Sequence, residues 1–192
     1  MHSLSSPLFW MYAVYFFLTG TLAFFIPGHL FIRKLKLDSF SETIISIVTG
    51  FILWSLLGFF LGFIHLRNLM YLYPLVCLLI WIKQKNYAVL KRLFRTKIDF
   101  GITAIICIGT LIQLSSVWLN GIQLKGGMYF CCGVPDTITH LALTSELVRR
   151  FPPNEPGFSN IPLLNYHYLS NLAVSDLVRV FGLPLIPTQY QY

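Results

Sequence analysis

The chain has 192 residues, 56% hydrophobic and 11% charged, with a mean hydropathy of +0.69. Soluble domains average about 25% charged residues, so this composition excludes a fold that meets water on every side and makes lipid part of the solvent. The formal charge of +7 does not read as a nucleic-acid surface. The basic residues stand in short runs between apolar segments, as topology signals and contacts to anionic membrane lipids.

The opening stretch MHSLSSPLFWMYAVYFFLTG carries no lysine or arginine, is too apolar for too long to be a signal-peptide core, and shows no small-residue cleavage site. It reads as a retained membrane helix over 8–32, with Pro27, Gly28 and His29 bending its far end. The second run, 43–64, carries Gly58 and Gly62 at a spacing that lets another helix approach closely. The third, Leu69 to Ile82, covers roughly 21 Å and spans only if extended to 66–82, with Arg67 snorkelling to the interface. The fourth, 100–119, places Trp118 in the interfacial belt. His2, His29 and His65 near the span ends read as interfacial.

Nine of the fourteen lysines and arginines lie in two loops, Arg33 to Lys36 and Lys83 to Lys97. Both loops are therefore expected in the cytoplasm, and the region after Leu119 outside it. Within the second loop, NYAVLKRLFRTKI reads as a short interfacial helix. Cys77 and Cys107 read as packing residues. Cys131 and Cys132 are adjacent and poorly placed for a mutual disulfide.

The expected fold is thus an all-α membrane protein, with about four transmembrane helices in 1–119 and an extracytoplasmic loop over 120–192. In that loop, NGIQLKGGMYFCCGVPD reads as irregular chain. A helix over about 137–150 comes next, with Asp136 at its cap position and Arg149 and Arg150 in its last turn. FPPNEP stops it. A second helix, about 168–181, is closed by Gly182 and Pro184. Both are too short to span and are expected along the membrane surface.

Asp136 has two compatible roles: helix cap, or a carboxylate that orients or deprotonates an acceptor hydroxyl. His140, one turn on, shares its face. A divalent metal would need Asp136, His140 and His167 together from two helices, which the spacing does not force, and it is not favoured. Arg149 and Arg150 are a solvated helix end, a lipid-headgroup contact or a grip on phosphate. Tyr166 and Tyr168 are interfacial anchors, and Glu146 and Glu155 solvated surface. No charged residue falls in the apolar runs, which ranks a transporter last.

PDTITHLALTSELVRRFPPNEP, followed by LNYHYLSNLAV, resembles the first extracytoplasmic loop of polytopic GT-C glycosyltransferases and the bacterial membrane proteins grouped with them. The resemblance covers roughly residues 110 to 183 and implies sugar transfer from a polyprenyl-phosphate carrier to an acceptor outside the cytoplasm, in a bacterial plasma membrane. Asp136 matches the loop's catalytic acid, and His140, Pro152, Pro153, Tyr166 and His167 match the surrounding pattern. Family members have eight or more spans. The resemblance therefore implies an N-terminal part of a GT-C-like bundle, inactive without the C-terminal membrane bundle as partner and binding a lipid-linked sugar donor. The loop's usual acidic pair is a single acid here, since Thr137 follows Asp136. The alternative is a non-enzymatic membrane scaffold or accessory subunit whose paired surface helices dock a partner.

Overall fold

The first apolar run folds as one helical rod in three parts: α1 (Pro7–Gly20), a π-helical turn (Thr21–Phe25) and α2 (Ile26–Ile32). The cause of the wide turn is local. Pro27 has no N–H to give, and the amide of Ile26 reaches back five residues to the Thr21 carbonyl. The computed structural model describes residues 7–35, 37–86, 89, 100–118, 120–124, 127–130, 135–157, 160–163 and 166–183. The interfacial helix expected near 86–98, Cys131, Cys132, Pro184 and the side chain of Asp136 lie outside what it describes.

Helix α3 (Ser39–Phe63) starts four residues before the apolar run does, because the Asp38 carboxylate accepts hydrogen bonds from the Phe40 and Ser41 amides, both at 3.1 Å. That start brings Glu42 into the first helical turn. Two helical stretches, Trp10–Ile32 and Ser39–Phe63, are long and apolar enough to cross a membrane. They pack backbone to backbone. A Cβ on Gly28 would fall on the Ser46 carbonyl, and one on Gly50 on the Phe24 carbonyl. Gly50, rather than the Gly58–Gly62 pair, is therefore where α3 admits the first rod. Their outer faces remain apolar and exposed, as at Phe17, Phe31 and Phe63, each more than 70% accessible.

After α3, a 3-10 turn (Arg67–Tyr71) leads into α4 (Leu72–Lys83), 12 residues and about 18 Å long. The expected snorkelling of Arg67 does not occur. Arg67 is 7% exposed and turned into the protein, because a buried carboxylate on a distant helix waits for it there. Helix α5 (Phe100–Trp118) is next in the chain. The stretch expected to be irregular instead pairs as an antiparallel hairpin, β1 (Asn120–Leu124) with β2 (Gly127–Phe130). Ile122, Tyr129 and Phe130 favour the pleated backbone where the glycines alone had pointed to a loop.

Helix α6 (Pro135–Arg149) and helix α7 (Leu169–Phe181) complete the chain's described elements. The cis Phe151–Pro152 peptide turns the chain out of α6. The linker then folds back on itself, with Glu155 N–H donating to Ile161 O at 2.8 Å and Leu163 N–H to Pro153 O at 3.0 Å. Gly182 closes α7 at φ +64°, a conformation natural to glycine.

The expectation that α7 lies along lipid is overturned by Trp54. This residue, wholly buried in α3, donates from Nε1 to the Ala173 carbonyl at 3.0 Å and stacks on Phe181 at 6.1 Å. The apolar stripe of α7, with Leu172, Ala173 and Leu177, packs on protein: Ala173 and Leu177 join the Trp54 core, and Leu172 joins Leu143 and Leu147 of α6. Tyr15 of α1 also donates to the Phe181 carbonyl. The two amphipathic helices thus dock at the end of the bundle that holds the Arg67 turn, opposite Arg33, Lys34 and Lys85.

Candidate functional site

The site begins with Arg67. Its Nε meets the Asp176 carboxylate at 2.8 Å, its Nη2 donates to Ser175 Oγ at 2.7 Å, and its Nη1 donates to the Leu147 carbonyl. Leu147 is in the last turn of α6, where carbonyls lack helical partners. One guanidinium therefore ties the α3–α4 turn to both amphipathic helices. Its carbon also lies 5.9 Å from the Phe151 ring centroid.

Asp176 is 0% exposed and nests against Gly58, where a side chain on that glycine would collide with Oδ2. Burial pushes its carboxyl above the ordinary range, while Arg67 and Arg179 pull it back. Arg179 contributes a contact of 3.3 Å to Asp176 and another of 3.0 Å to Asn68 Oδ1. Gly62 does the analogous service for Phe151, whose ring lies 2.8 Å from where a Cβ would be. The Gly58–Gly62 spacing does admit another helix, but through a carboxylate and an aromatic ring instead of bare backbone.

Two cavities meet on this platform. One, of about 170 Å³, is lined by Arg67, Asn68, Arg149, Arg150, Arg179 and His65. Four arginines face two carboxylates there: Asp176, and Glu146, which holds Arg150 at 3.3 Å. The excess is positive. The other cavity, of about 960 Å³, is a mainly apolar groove bordered by Leu56, Phe59, Phe63, Phe151, Leu163 and Leu169, with Tyr166, His167 and Tyr168 along its rim. Gly62, His65 and Phe151 line both, so the arginine pocket and the groove are neighbours that share a wall.

His65 stands at that junction in a left-handed conformation, φ +60°. It closes α3 in a Schellman arrangement, with Leu66 N–H donating to Leu61 O at 2.8 Å and His65 N–H to Gly62 O at 3.1 Å. Glycine is the usual residue there, and a side chain costs of order 1 kcal/mol or more.

His140 is exposed on α6, and its Nδ1 lies 3.2 Å from Asn171 Oδ1. Asn171 donates from Nδ2 to the His140 carbonyl and to Thr144 Oγ1, both at 3.0 Å. That fixes the amide orientation, makes His140 Nδ1 the donor, and leaves Nε2 as the outward lone pair. The His140 ring lies 6.4 Å from that of Tyr166. Tyr166 and His167 line the groove, and Arg149 and Arg150 line the smaller cavity beside it. Tyr168 packs partly inward against Phe151 at 6.1 Å, and burial raises its phenol pKa. Helix α6 begins at Pro135, so Asp136 is its second residue instead of its cap. Among the described residues, no three of histidine, cysteine, aspartate and glutamate come together as a metal site.

Reading the sequence missed Arg67, Asp176 and Arg179 as partners. A lone arginine inside an otherwise apolar stretch was the available signal, because such a group needs a buried counter-charge. It also missed Glu42 and the burial of His29. Expected at the interface, His29 is 2% exposed, bonded to Glu42 at 3.2 Å and to Trp81 at 3.2 Å.

No family model matches the chain, and neither a curated protein nor a solved structure is similar to it. A functional assignment therefore rests on the residues and their geometry.

Proposed function

We propose that the arginine pocket and the neighbouring groove bind a lipid phosphate, with phosphate at Arg149, Arg150 and His65 and the hydrocarbon chain along Phe59, Phe63 and Leu169. The observation that carries this reading is the junction itself. A positively charged pocket and an apolar groove lie side by side, sharing Gly62, His65 and Phe151, and Tyr166 and His167 line the groove. A polyprenyl phosphate has this distribution of charge and hydrocarbon, and arginine forks suit phosphate oxygens.

With the loop resemblance, the chain is then part of a GT-C-like membrane glycosyltransferase with four transmembrane segments here, the loop extracytoplasmic. The lipid-linked sugar sits in the groove, and Asp136 serves as the acceptor-side base. The orientation draws on charge: Arg33, Lys34 and Lys85 gather at the end of the bundle opposite the groove. Asp136 is placed by the helix whose far end supplies Arg149.

The test is lipid binding by the chain in nanodiscs, comparing a polyprenyl phosphate with the corresponding free polyprenol. Arg149→Ala with Arg150→Ala should weaken phosphate-lipid binding about a hundred-fold or more, since two charge-assisted bonds of about 1.5–3 kcal/mol each are lost, and should leave polyprenol binding unchanged. Equal binding of the two lipids by the unaltered chain would remove the phosphate assignment and favour a scaffold whose groove takes a partner's apolar side chains. The chemistry is tested separately, by assaying sugar transfer in a full-length relative carrying the equivalent of Asp136→Asn. Undiminished transfer takes that carboxylate out of the reaction.

A further inference from the structure

At the opposite end of the bundle another cavity, of about 340 Å³, is lined by residues that include His29, Arg33, Lys34, Glu42, Lys85 and Val89. Small-ligand sites run from about 300 to 1,000 Å³. The floor is almost wholly buried at His29, Glu42 and Val89, while Arg33, Lys34 and Lys85 form an exposed rim. The floor is occupied with itself. The Trp81 indole can only donate, so its 3.2 Å contact makes His29 Nδ1 an acceptor, and His29 Nε2 donates to Glu42 Oε1 at 3.2 Å. Glu42 also stands in the first turn of α3, where the helix N-terminus favours negative charge. Its carboxylate is thus committed within the protein, and the ligand proposed below makes no use of it.

Two helix ends build the rim. Arg33 closes α2, its N–H donating to His29 O at 2.9 Å, and Lys34 follows it. Lys85 follows α4 at φ +55°, with Asn86 N–H donating to Trp81 O at 3.2 Å and Lys85 N–H to Ile82 O at 2.9 Å. Arg33 donates across to Gln84 Oε1, which also accepts from Asn86 Nδ2 at 3.2 Å, so a neutral amide ties the two ends together. Among the described residues, none of Arg33, Lys34 and Lys85 has a carboxylate as ion-pair partner. Basic residues at helix ends have an ordinary explanation, since each C-terminus carries roughly half a negative charge. Two ends account for about one cation, yet Arg33, Lys34 and Lys85 all line this one cavity. An excess of about two positive charges remains on the rim.

We propose that this pocket binds a phosphate monoester, its terminal oxygens held by Arg33, Lys34 and Lys85. Such a group carries a charge of about −1.5 to −2 and three strong acceptor oxygens, which match the excess charge and the three cations. A phosphodiester brings only a single charge and answers the rim less fully. Arginine forks and lysine ammonium groups both take phosphate oxygens. The monoester arrives on a lipid, as in phosphatidic acid, or free in solution, and the chemistry at the rim is the same. The site is independent of the arginine pocket and the groove, since no lining residue is shared.

The experiment uses the purified full chain carrying Arg149→Ala and Arg150→Ala, so that phosphate bound beside the groove does not contribute. In detergent it is offered equal amounts of phosphatidic acid and phosphatidylglycerol, with retained lipid read by native mass spectrometry. Binding of inorganic phosphate is read in parallel by ³¹P line broadening. Phosphatidic acid should be retained in preference to phosphatidylglycerol, or inorganic phosphate should bind and displace it. The first result assigns a lipid-borne monoester and the second a free one. In either case Lys34→Gln with Lys85→Gln should weaken binding about ten-fold, since exposed ion contacts are individually weak. Lys83→Gln, which does not line the pocket, should leave it unchanged. Lys34 and Lys85 are exposed, and an unchanged unfolding midpoint shows that the paired variant folds. Equal retention of the two lipids without phosphate binding overturns the proposal. So does a paired variant that binds like the parent, or a Lys83→Gln variant as impaired as the pair, which would reduce the effect to diffuse surface charge.

Discussion

Arg67 and Asp176 meet at 2.8 Å although 109 residues separate them, and both are almost wholly removed from solvent. The pair is the pin on which the α3–α4 turn, the end of α6 and the middle of α7 are all fastened. Removing one partner breaks a buried pair, which costs about 3–5 kcal/mol, with the Arg179 contact to Asp176 at 3.3 Å offsetting part of the loss when Arg67 is the one removed. Arg67→Ala and Asp176→Ala should each lower the thermal unfolding midpoint in detergent by that order of stability, followed by tryptophan fluorescence of the Trp54 core. Arg67→Met combined with Asp176→Leu should recover most of the loss, since apolar replacement of a whole buried pair is often neutral or better. A double variant as unstable as the sum of the singles would show that the pair is not coupled.

The contact between the first rod and α3 depends on two absent side chains. A methyl group at Gly50 would occupy the Phe24 carbonyl, and one at Gly28 the Ser46 carbonyl. Backbone cannot yield as a flexible side chain can, so Gly50→Ala and Gly28→Ala should each separate the helices. The cost is that of overpacking, about 1–3 kcal/mol or more. Gly20→Ala, with no heavy atom within 4 Å of the added carbon, should be neutral or slightly stabilising. Unfolding midpoints of the three variants check the ordering, and a Gly20 variant as unstable as the Gly50 variant would contradict it.

These two relationships show what a linear reading can reach. The apolar runs announced the helices, because hydropathy and length are local properties. The ends of α6 and α7 were legible from FPP and Gly182 for the same reason. Arg149, Arg150, Tyr166 and His167 were legible as candidates, but their placement on two neighbouring cavities was not, since it depends on α7 docking against Trp54. The snorkelling assignment for Arg67 failed because its counter-charge lies on another helix. The surface assignment for α7 failed because an apolar stripe does not say whether lipid or protein will cover it. Glu42 was overlooked because the helix start was set by hydropathy, whereas the capping carboxylate of Asp38 sets it four residues earlier.

Asp38 gives a pH dependence with a definite sign. Hydrogen bonds from Ser41, and further ones including the Phe40 amide, hold its pKa below the ordinary carboxylate value. A carboxyl with a depressed folded pKa contributes stability that is present above its unfolded pKa and lost as pH falls through the folded one. The first turn of α3 should therefore fray as the pH drops below the usual aspartate range. Asp38→Asn, which keeps a capping oxygen without a charge, should flatten that dependence. Hydrogen exchange of the Phe40 and Ser41 amides reads it directly, and an acid response unchanged by Asp38→Asn would assign the effect to another group.

Asn171 offers a test of how α6 presents its polar face. It is 7% exposed and joins α7 to α6 through the His140 ring, the His140 carbonyl and the Thr144 hydroxyl. Asn171→Leu removes an acceptor and a donor from a buried junction, and leaving such groups unsatisfied costs about 1–3 kcal/mol. It should also release His140 from the Nδ1–H tautomer, moving its ring-nitrogen shifts in ¹⁵N spectra. Asn171→Asp retains an acceptor for the Nδ1–H but loses both donations, so it should be destabilised while the tautomer persists. That split separates the two jobs of the side chain, bracing the helices and aiming the His140 Nε2 lone pair outward. A tautomer unchanged in Asn171→Leu would mean that His140 is oriented by something other than Asn171.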